Sequence, residues 1–373
     1  MRQVRYIFPV SHHYRYPFHE RLRERLALHD VDYRVVYSDP PEENRQKRDT
    51  VDIAWGIKVP TTTIGGLAYQ HGLREALKAD LVIVQQENKL ALNYFLNIAS
   101  MIGLKRVAYF GHGRNFQARD RSSRAERWKR FWATRVNWWF GYTDETRKHI
   151  ESLGFPASRI TVFNNAVDTG TVRQQIAAVT PERLAHRRAE LGLTGTHVGV
   201  FVGGLYEDKR LDFLIESACQ TRARVPDFEM LVIGGGPAFE TLKTQAAPHP
   251  WIHVLGPKFG PDKIELMLLG QLFLMPGLVG LAILDAAAAG LPIVTTAFPW
   301  HSPEIAYLND GISGLIVQDW ENPVAYGDAV AEILLDPERL AAMREQARAV
   351  SARYTIEAMA DRFAEGVLKA LQA

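Results

Sequence analysis

Several segments of this chain bring together residue types that bind anions or handle protons. Residues 201–209 read FVGGLYEDK: an apolar run, a turn at Gly203 and Gly204, then Lys209 with Arg210 beside it. Backbone amides at a turn before a helix, helped by the helix dipole and two cations, make an anion site. An ordinary strand-to-helix turn would read much the same. No GKS or GKT follows the glycines, so the segment is not a P-loop. Residues 233–237 (IGGGP) put Gly235 in a second glycine turn after an apolar run, a weak dinucleotide signal on its own. Residues 276–285 (PGLVGLAILD) are more informative. A run ends at Pro276, a turn covers Gly277, Leu278, Val279 and Gly280, and a helix starts near Leu281. Free amides there can receive a diphosphate, and Asp285, about one turn in, can take a pair of ribose hydroxyls. His112, flanked by glycines in VAYFGHGR (107–114), ends another apolar run and can position or deprotonate a hydroxyl.

A second kind of chemistry sits at residues 105–135, where ten Lys and Arg face only Asp120 and Glu126. Trp128, Phe131, Trp132 and Arg135 fall at helical spacing beside Arg124, Arg127, Lys129 and Arg130, with Arg114 upstream and Trp138 and Trp139 just beyond. Basic residues with tryptophans suit an anionic bilayer surface. They would also suit nucleic acid, although no known module is visible, and tryptophans in a core with arginines in solvent give the same pattern.

These segments need a scaffold. Apolar runs of strand length occur at 5–10, 32–36, 81–85, 107–110, 138–142 and 160–163, and again at 197–202, 229–233, 252–255, 272–275, 292–295 and 314–317. The stretches between them, such as 17–28, 211–225 and 337–354, have helical spacing. Strands alternating with helices imply parallel βαβ units. Two such series in 373 residues predict two doubly wound domains with a cleft between them. All three glycine turns then lie at carboxyl ends of strands, where open α/β sheets bind ligands. The boundary is expected within 164–195, giving domains 1–170 and 171–354, with a last helix over 355–373 able to pack back on the first.

Composition narrows the class. Hydrophobic residues at 47% and charged residues at 23% describe a globular chain with a sizeable core. The single cysteine, Cys219, can form neither an internal disulfide nor a cysteine-rich zinc site, which points to a reducing cytoplasm. The opening residues break their apolar run too early for a signal peptide. Residues 266–284 carry no charge, but Pro276 and three glycines argue against a membrane span. Charge is uneven: residues 1–150 hold 26 Lys and Arg against 16 Asp and Glu, a net +10, and the remainder is −8. That asymmetry suggests different partners for the two halves.

The blocks FVGGLYEDKRLDFLIESA, LVIGGGP, GLAILDAAAAGLPIVTT and PEIAYLNDGISGLIV, with the link ITVFNNAVD, resemble consecutive motifs of the family 4 retaining glycosyltransferases of GT-B fold. The resemblance covers roughly 140–320; the front half resembles the family in layout and in its His-Gly pair at 112–113. It implies sugar transfer from a nucleoside diphosphate sugar with retained anomeric configuration, with neither cofactor nor metal. Lys209 resembles the lysine on the donor diphosphate, 278–281 the amide turn, Asp285 the ribose carboxylate, and His112 the histidine beside the transferred sugar. Two positions depart from the pattern. The arginine of the family's GRL is Gly204 here, for which Arg210 is expected to compensate, and the first glutamate of its E-x7-E pair is Gly277.

The expectation is therefore an α/β glycosyltransferase of two Rossmann-like domains. Gly203, Gly204, Gly235 and the 277–285 segment bind the donor, and His112, Lys209 and Arg210 act on the reacting groups. Arg114, Arg124, Arg127, Trp128 and Trp132 would meet a glycan or lipid-linked acceptor at the anionic inner membrane surface, where a surface polysaccharide or lipopolysaccharide is built. Nucleic acid is not an expected partner. A nucleotide-sugar epimerase or a non-catalytic relative shares the same scaffold.

Overall fold

The computed structural model describes residues 1–40, 50–113 and 124–373. The chain divides into two compact units, Met1–Asp168 with Ile356–Ala373, and Thr169–Thr355. Unit 1 is built on β1 (Arg2–Val10), β2 (Val31–Ser38), β3 (Ile57–Lys58), β4 (Thr61–Ile64), β5 (Leu67–Gln70), β6 (Leu81–Gln85), β7 (Arg106–Gly111), β8 (Trp138–Gly141) and β9 (Ile160–Val162). Seven of these form one parallel sheet in the order β3-β2-β1-β6-β7-β8-β9. Strand order reverses between β1 and β6, which makes that edge a topological switch point. β4 and β5 form a separate antiparallel hairpin closed by Gly65 and Gly66, both at positive φ.

Strands covered on both faces read as continuous apolar runs, and β8 (WWFG) is buried at every residue. Trp138 and Trp139 therefore belong to the sheet, separate from the exposed tryptophan edge they adjoin in sequence. The helix Ile356–Ala370 packs on unit 1: Phe363 stacks on Phe140 at 4.0 Å, and Glu357 and Asp361 pair with Arg21 and Arg25 of the helix Tyr16–Ala27.

Unit 2 holds β10 (His197–Val202), β11 (Phe228–Ile233), β12 (Ile252–Gly256), β13 (Leu272–Leu274), β14 (Ile293–Thr296) and β15 (Gly314–Val317). They form a parallel sheet in the order β12-β11-β10-β13-β14-β15. Its entry helix, Pro181–Leu191, starts on a Thr180 side-chain cap with Pro at the first turn and stops at left-handed Gly192. That helix is tied to unit 2 by Arg183 and Arg187, which both reach the Glu265 carboxylate.

Candidate donor site

In unit 2 the glycine turns after β10, β11 and β13 converge. The first two are laced together by backbone: Gly203 N–H donates to Ile233, and Leu205 N–H to Gly235, at 3.0 and 2.9 Å. At Gly234 a Cβ would fall 1.9 Å from the Gly203 carbonyl, so this approach requires glycine. Gly235 itself faces Pro257.

Lys209 closes a 3-10 turn, Glu207–Lys209, and is almost fully buried. Its stem passes over Gly203, and its Nζ donates to the Leu278 carbonyl while lying 3.5 Å from the Met275 sulfur. Burial pushes its pKa down to about 8, against an opposing pull from Asp208. A half-desolvated ammonium with few partners is poised to gain from an arriving anion.

The turn at 277–281 is held from three sides. Leu278 N–H donates to Asp208 O at 2.8 Å, Val279 N–H donates to His301 Nδ1 at 3.0 Å, and Ser302 N–H donates to Val279 O at 3.0 Å. His301 in turn donates from Nε2 to Thr296 O at 2.8 Å, which fixes its tautomer. Burial lowers the His301 pKa to about 4, so the ring stays a neutral acceptor near neutral pH. The four-amide phosphate cradle expected over 278–281 is thus smaller than the sequence implied. Leu278 and Val279 already donate within the protein. Gly280 and Leu281, just before the helix Ala282–Ala288, are the amides of this turn with no acceptor among the described residues.

Arg210 does not join them. It adopts a left-handed backbone (φ +56°), which turns its side chain away from that of Lys209. Its guanidinium lies 4.0 Å from the Phe213 ring centre and 5.0 Å from that of Trp320, and it donates to the Trp320 carbonyl. Its Nη1 also lies 3.5 Å from Thr296 Oγ1, which donates to the Pro276 carbonyl, so the guanidinium is anchored on partners of its own, separate from those of the Lys209 ammonium. At Gly204 the direction of a side chain is occupied by the Tyr206 ring, 2.8 Å from a notional Cβ.

Asp285 sits in the first turn of the helix Ala282–Ala288 and pairs with Lys263 at 2.8 Å, both side chains about one-fifth exposed. Sequence reasoning missed Lys263 and His301. Each comes from an element 22 residues from its partner, and no spacing rule links them.

In unit 1, His112 follows β7 and meets the Tyr142 ring edge-on at 4.1 Å. Burial, then the charges of Lys129 and Arg15, lower its pKa to about 3. It is a neutral imidazole at physiological pH, suited to orienting a hydroxyl rather than to donating a proton from an imidazolium. His112→Ala is expected to keep the melting temperature within a few degrees and to lower turnover by about 10². Turnover in the wild type should show no inflection near pH 6.5 from this ring. A fully active variant in a steady-state assay would remove His112 from the reaction.

The helix Arg124–Ala133 exposes Arg124, Arg127 and Arg130 together with Trp128 (48%) and Phe131 (45%), whereas Trp132 is partly buried. Arg114 lies outside the described residues. Among those residues no helix is long and apolar enough to cross a membrane.

Both units are Rossmann-like, and the fold is GT-B. The chain is similar in structure to Anabaena Alr3699/HepE in complex with UDP, with a TM-score of 0.72 and 17% identity, over 99% of this chain and 100% of that one. Residues 196–336 match the family model of the glycosyl transferases group 1. The chain is 32% identical over 212 residues to the GDP-mannose-dependent alpha-(1-6)-phosphatidylinositol monomannoside mannosyltransferase of Mycolicibacterium smegmatis, covering 53% of each. It is 28% identical over 244 residues to the D-inositol 3-phosphate glycosyltransferase of Thermobispora bispora, covering 61% of this chain and 54% of that one. The chain thus spans about half the length of the curated relatives it matches.

Proposed function

We propose that the protein is a glycosyltransferase that moves a sugar from a nucleoside diphosphate sugar to a hydroxyl of a lipid-linked or glycan acceptor, with retained configuration. The observation that carries this is Lys209. Its ammonium is buried against the turn whose Gly280 and Leu281 amides remain open, inside the segment that matches the group 1 family model. These groups would stabilise the diphosphate as it leaves, an electrostatic contribution expected to dominate catalysis. On this reading they balance the diphosphate charge without a metal, Asp285 takes the ribose, and His112 orients the hydroxyl or the sugar. Incubation with GDP-mannose and other nucleotide sugars plus bacterial lipid extract should release nucleoside diphosphate and label a glycolipid, with the anomeric outcome read by NMR. Gly204 and Gly277 favour a second reading, a binder without turnover, and absence of release in the presence of donor binding would select it.

We further propose that the protein works at the inner membrane face, where a surface polysaccharide, lipopolysaccharide or other glycolipid is assembled. Support comes from the exposed basic helix and from its neighbour. The helix Ala91–Met101 exposes Phe95, Ile98 and Met101, and its Tyr94 hydroxyl accepts from Trp128 Nε1 at 3.0 Å. Apolar and cationic side chains thus share one face, as at a bilayer interface. The protein should co-sediment with anionic vesicles at low salt and leave them at high salt. Each cation near such a surface contributes about 1 kcal/mol, so reversing Arg124, Arg127 and Arg130 to Glu should weaken binding by about 10² or more. Donor affinity should not change. Equal sedimentation of that triple variant would take the binding away from this helix, and a wild type that ignores anionic vesicles at low salt would place the acceptor in solution.

A further inference from the structure

Unit 1 buries a guanidinium that no carboxylate answers among the described residues. Arg15 ends the 3-10 turn His13–Arg15 after β1 and is 5% exposed. It donates from Nη2 to the Tyr142 hydroxyl at 2.7 Å and lies 5.4 Å from the ring centres of Tyr14 and Tyr142. Among the described residues it joins no ion pair, and its buried Nε has no hydrogen-bond partner. Neighbouring phenols hold it protonated against desolvation, but a phenol is not a counter-ion. An ion buried without one is costly and persists where something else compensates it.

The surroundings match an anion rather than a cation. His112 meets the ring of the same Tyr142 whose hydroxyl receives the Arg15 hydrogen bond. The Ser11 and Thr143 hydroxyls are buried without partners among the described residues, and both can donate to an oxyanion. Ser11 and Thr143 follow β1 and β8, both at the carboxyl edge of the sheet, and β1 and β6 flank the point where strand order reverses. Ligands of open α/β sheets bind at that place.

We propose that Arg15 anchors an oxyanion site in unit 1 that takes a phosphate ester, with the Ser11 and Thr143 hydroxyls as further donors and His112, packed on the same Tyr142 ring, at its rim. A guanidinium meets two phosphate oxygens at once, which supplies the missing counter-charge and a fixed orientation. The proposal deepens the glycosyltransferase reading by naming the group on the acceptor that unit 1 receives.

The test is thermal unfolding of the full chain, as wild type and as Arg15→Met, with inorganic phosphate, sn-glycerol 3-phosphate or GDP, against potassium chloride at matched ionic strength. Phosphate and glycerol 3-phosphate should each raise the wild-type melting temperature by a few degrees. Arg15→Met should melt at or above the wild-type temperature without ligand and lose those shifts. The GDP shift, which belongs to unit 2, should survive in Arg15→Met; its loss together with the phosphate shifts would mean that the substitution disturbs the whole chain and would overturn the assignment. Should Arg15→Met fail to fold, the Arg15 Nε–H NMR resonance of the wild type decides: it should move on addition of phosphate. A static resonance, or a destabilised Arg15→Met that keeps its phosphate shift, would make Arg15 a structural strut and overturn the proposal. Lys209→Ala, which should weaken GDP binding tenfold or more and leave the phosphate shift intact, separates failure of this site from failure of the glycosyltransferase reading.

Discussion

Lys209→Ala is expected to lower kcat/KM by about 10²–10³ and to weaken nucleoside diphosphate binding by tenfold or more. Preorganised charge aimed at a leaving group is worth about 3–4 kcal/mol, and a hydrogen bond to a charged group about 1.5–3. The loss should exceed that of a surface lysine because the Lys209 ammonium is desolvated before the ligand arrives. Its pKa near 8 gives a second signature. Below that pH the empty site carries the full charge. As pH rises through 8 the proton is lost, so diphosphate affinity falls, and binding above pH 8 takes up a proton that calorimetry in buffers of different ionisation heat can count. Arg210→Ala is the control. With its guanidinium against Phe213 and Trp320, it should lower the melting temperature and leave diphosphate affinity within about twofold. Equal affinity losses in both variants would place the phosphates between the two cations.

The second large effect is at Gly277, where the family resemblance invites Gly277→Glu as a repair. A Cβ there would fall 2.2 Å from the Asp208 carbonyl and 2.8 Å from that of Lys209, and these are backbone atoms that cannot swing aside. Overpacking against backbone costs about 3 kcal/mol. In a unit of this size that is a fall of roughly 6–12 °C in melting temperature, with the Lys209 turn displaced and activity lost. Calorimetric unfolding of Gly277→Glu checks it, and a stable, more active variant would show that the 207–209 turn can retreat. The glycine thus reflects a backbone contact between two loops, as well as a missing carboxylate.

Much of the scaffold was legible. Long apolar runs bounded by Gly and Pro marked β10, β11, β13 and β14, and with them the three turns of the candidate site. Side-chain direction was not. Lys209 and Arg210 are adjacent in sequence, yet a left-handed residue at 210 sends them to different places, a choice that no spacing rule encodes. Trp138 and Trp139 were legible as a strand from the apolar run 138–142, and full burial of β8 separates them from the edge at 128–132. The hairpin β4–β5 carried a signal that went unused, since Gly65 and Gly66 between two four-residue runs favour a two-residue turn. The His301–Val279 and Lys263–Asp285 contacts arise from tertiary packing and have no local trace. Arg15, in the segment SHHYR, looks like any surface arginine until the fold buries it.

The most direct measurement is thermal unfolding of the wild type and of Lys209→Met against UDP-, GDP-, dTDP- and CMP-sugars. A ligand at 100 times its dissociation constant adds about 2.7 kcal/mol, roughly 5–10 °C for a unit of this size. At least one nucleoside diphosphate sugar should produce that shift in the wild type and fail to produce it in Lys209→Met. Indifference of the wild type to every nucleotide sugar, or the same shift in both proteins, would contradict a donor site built on Lys209.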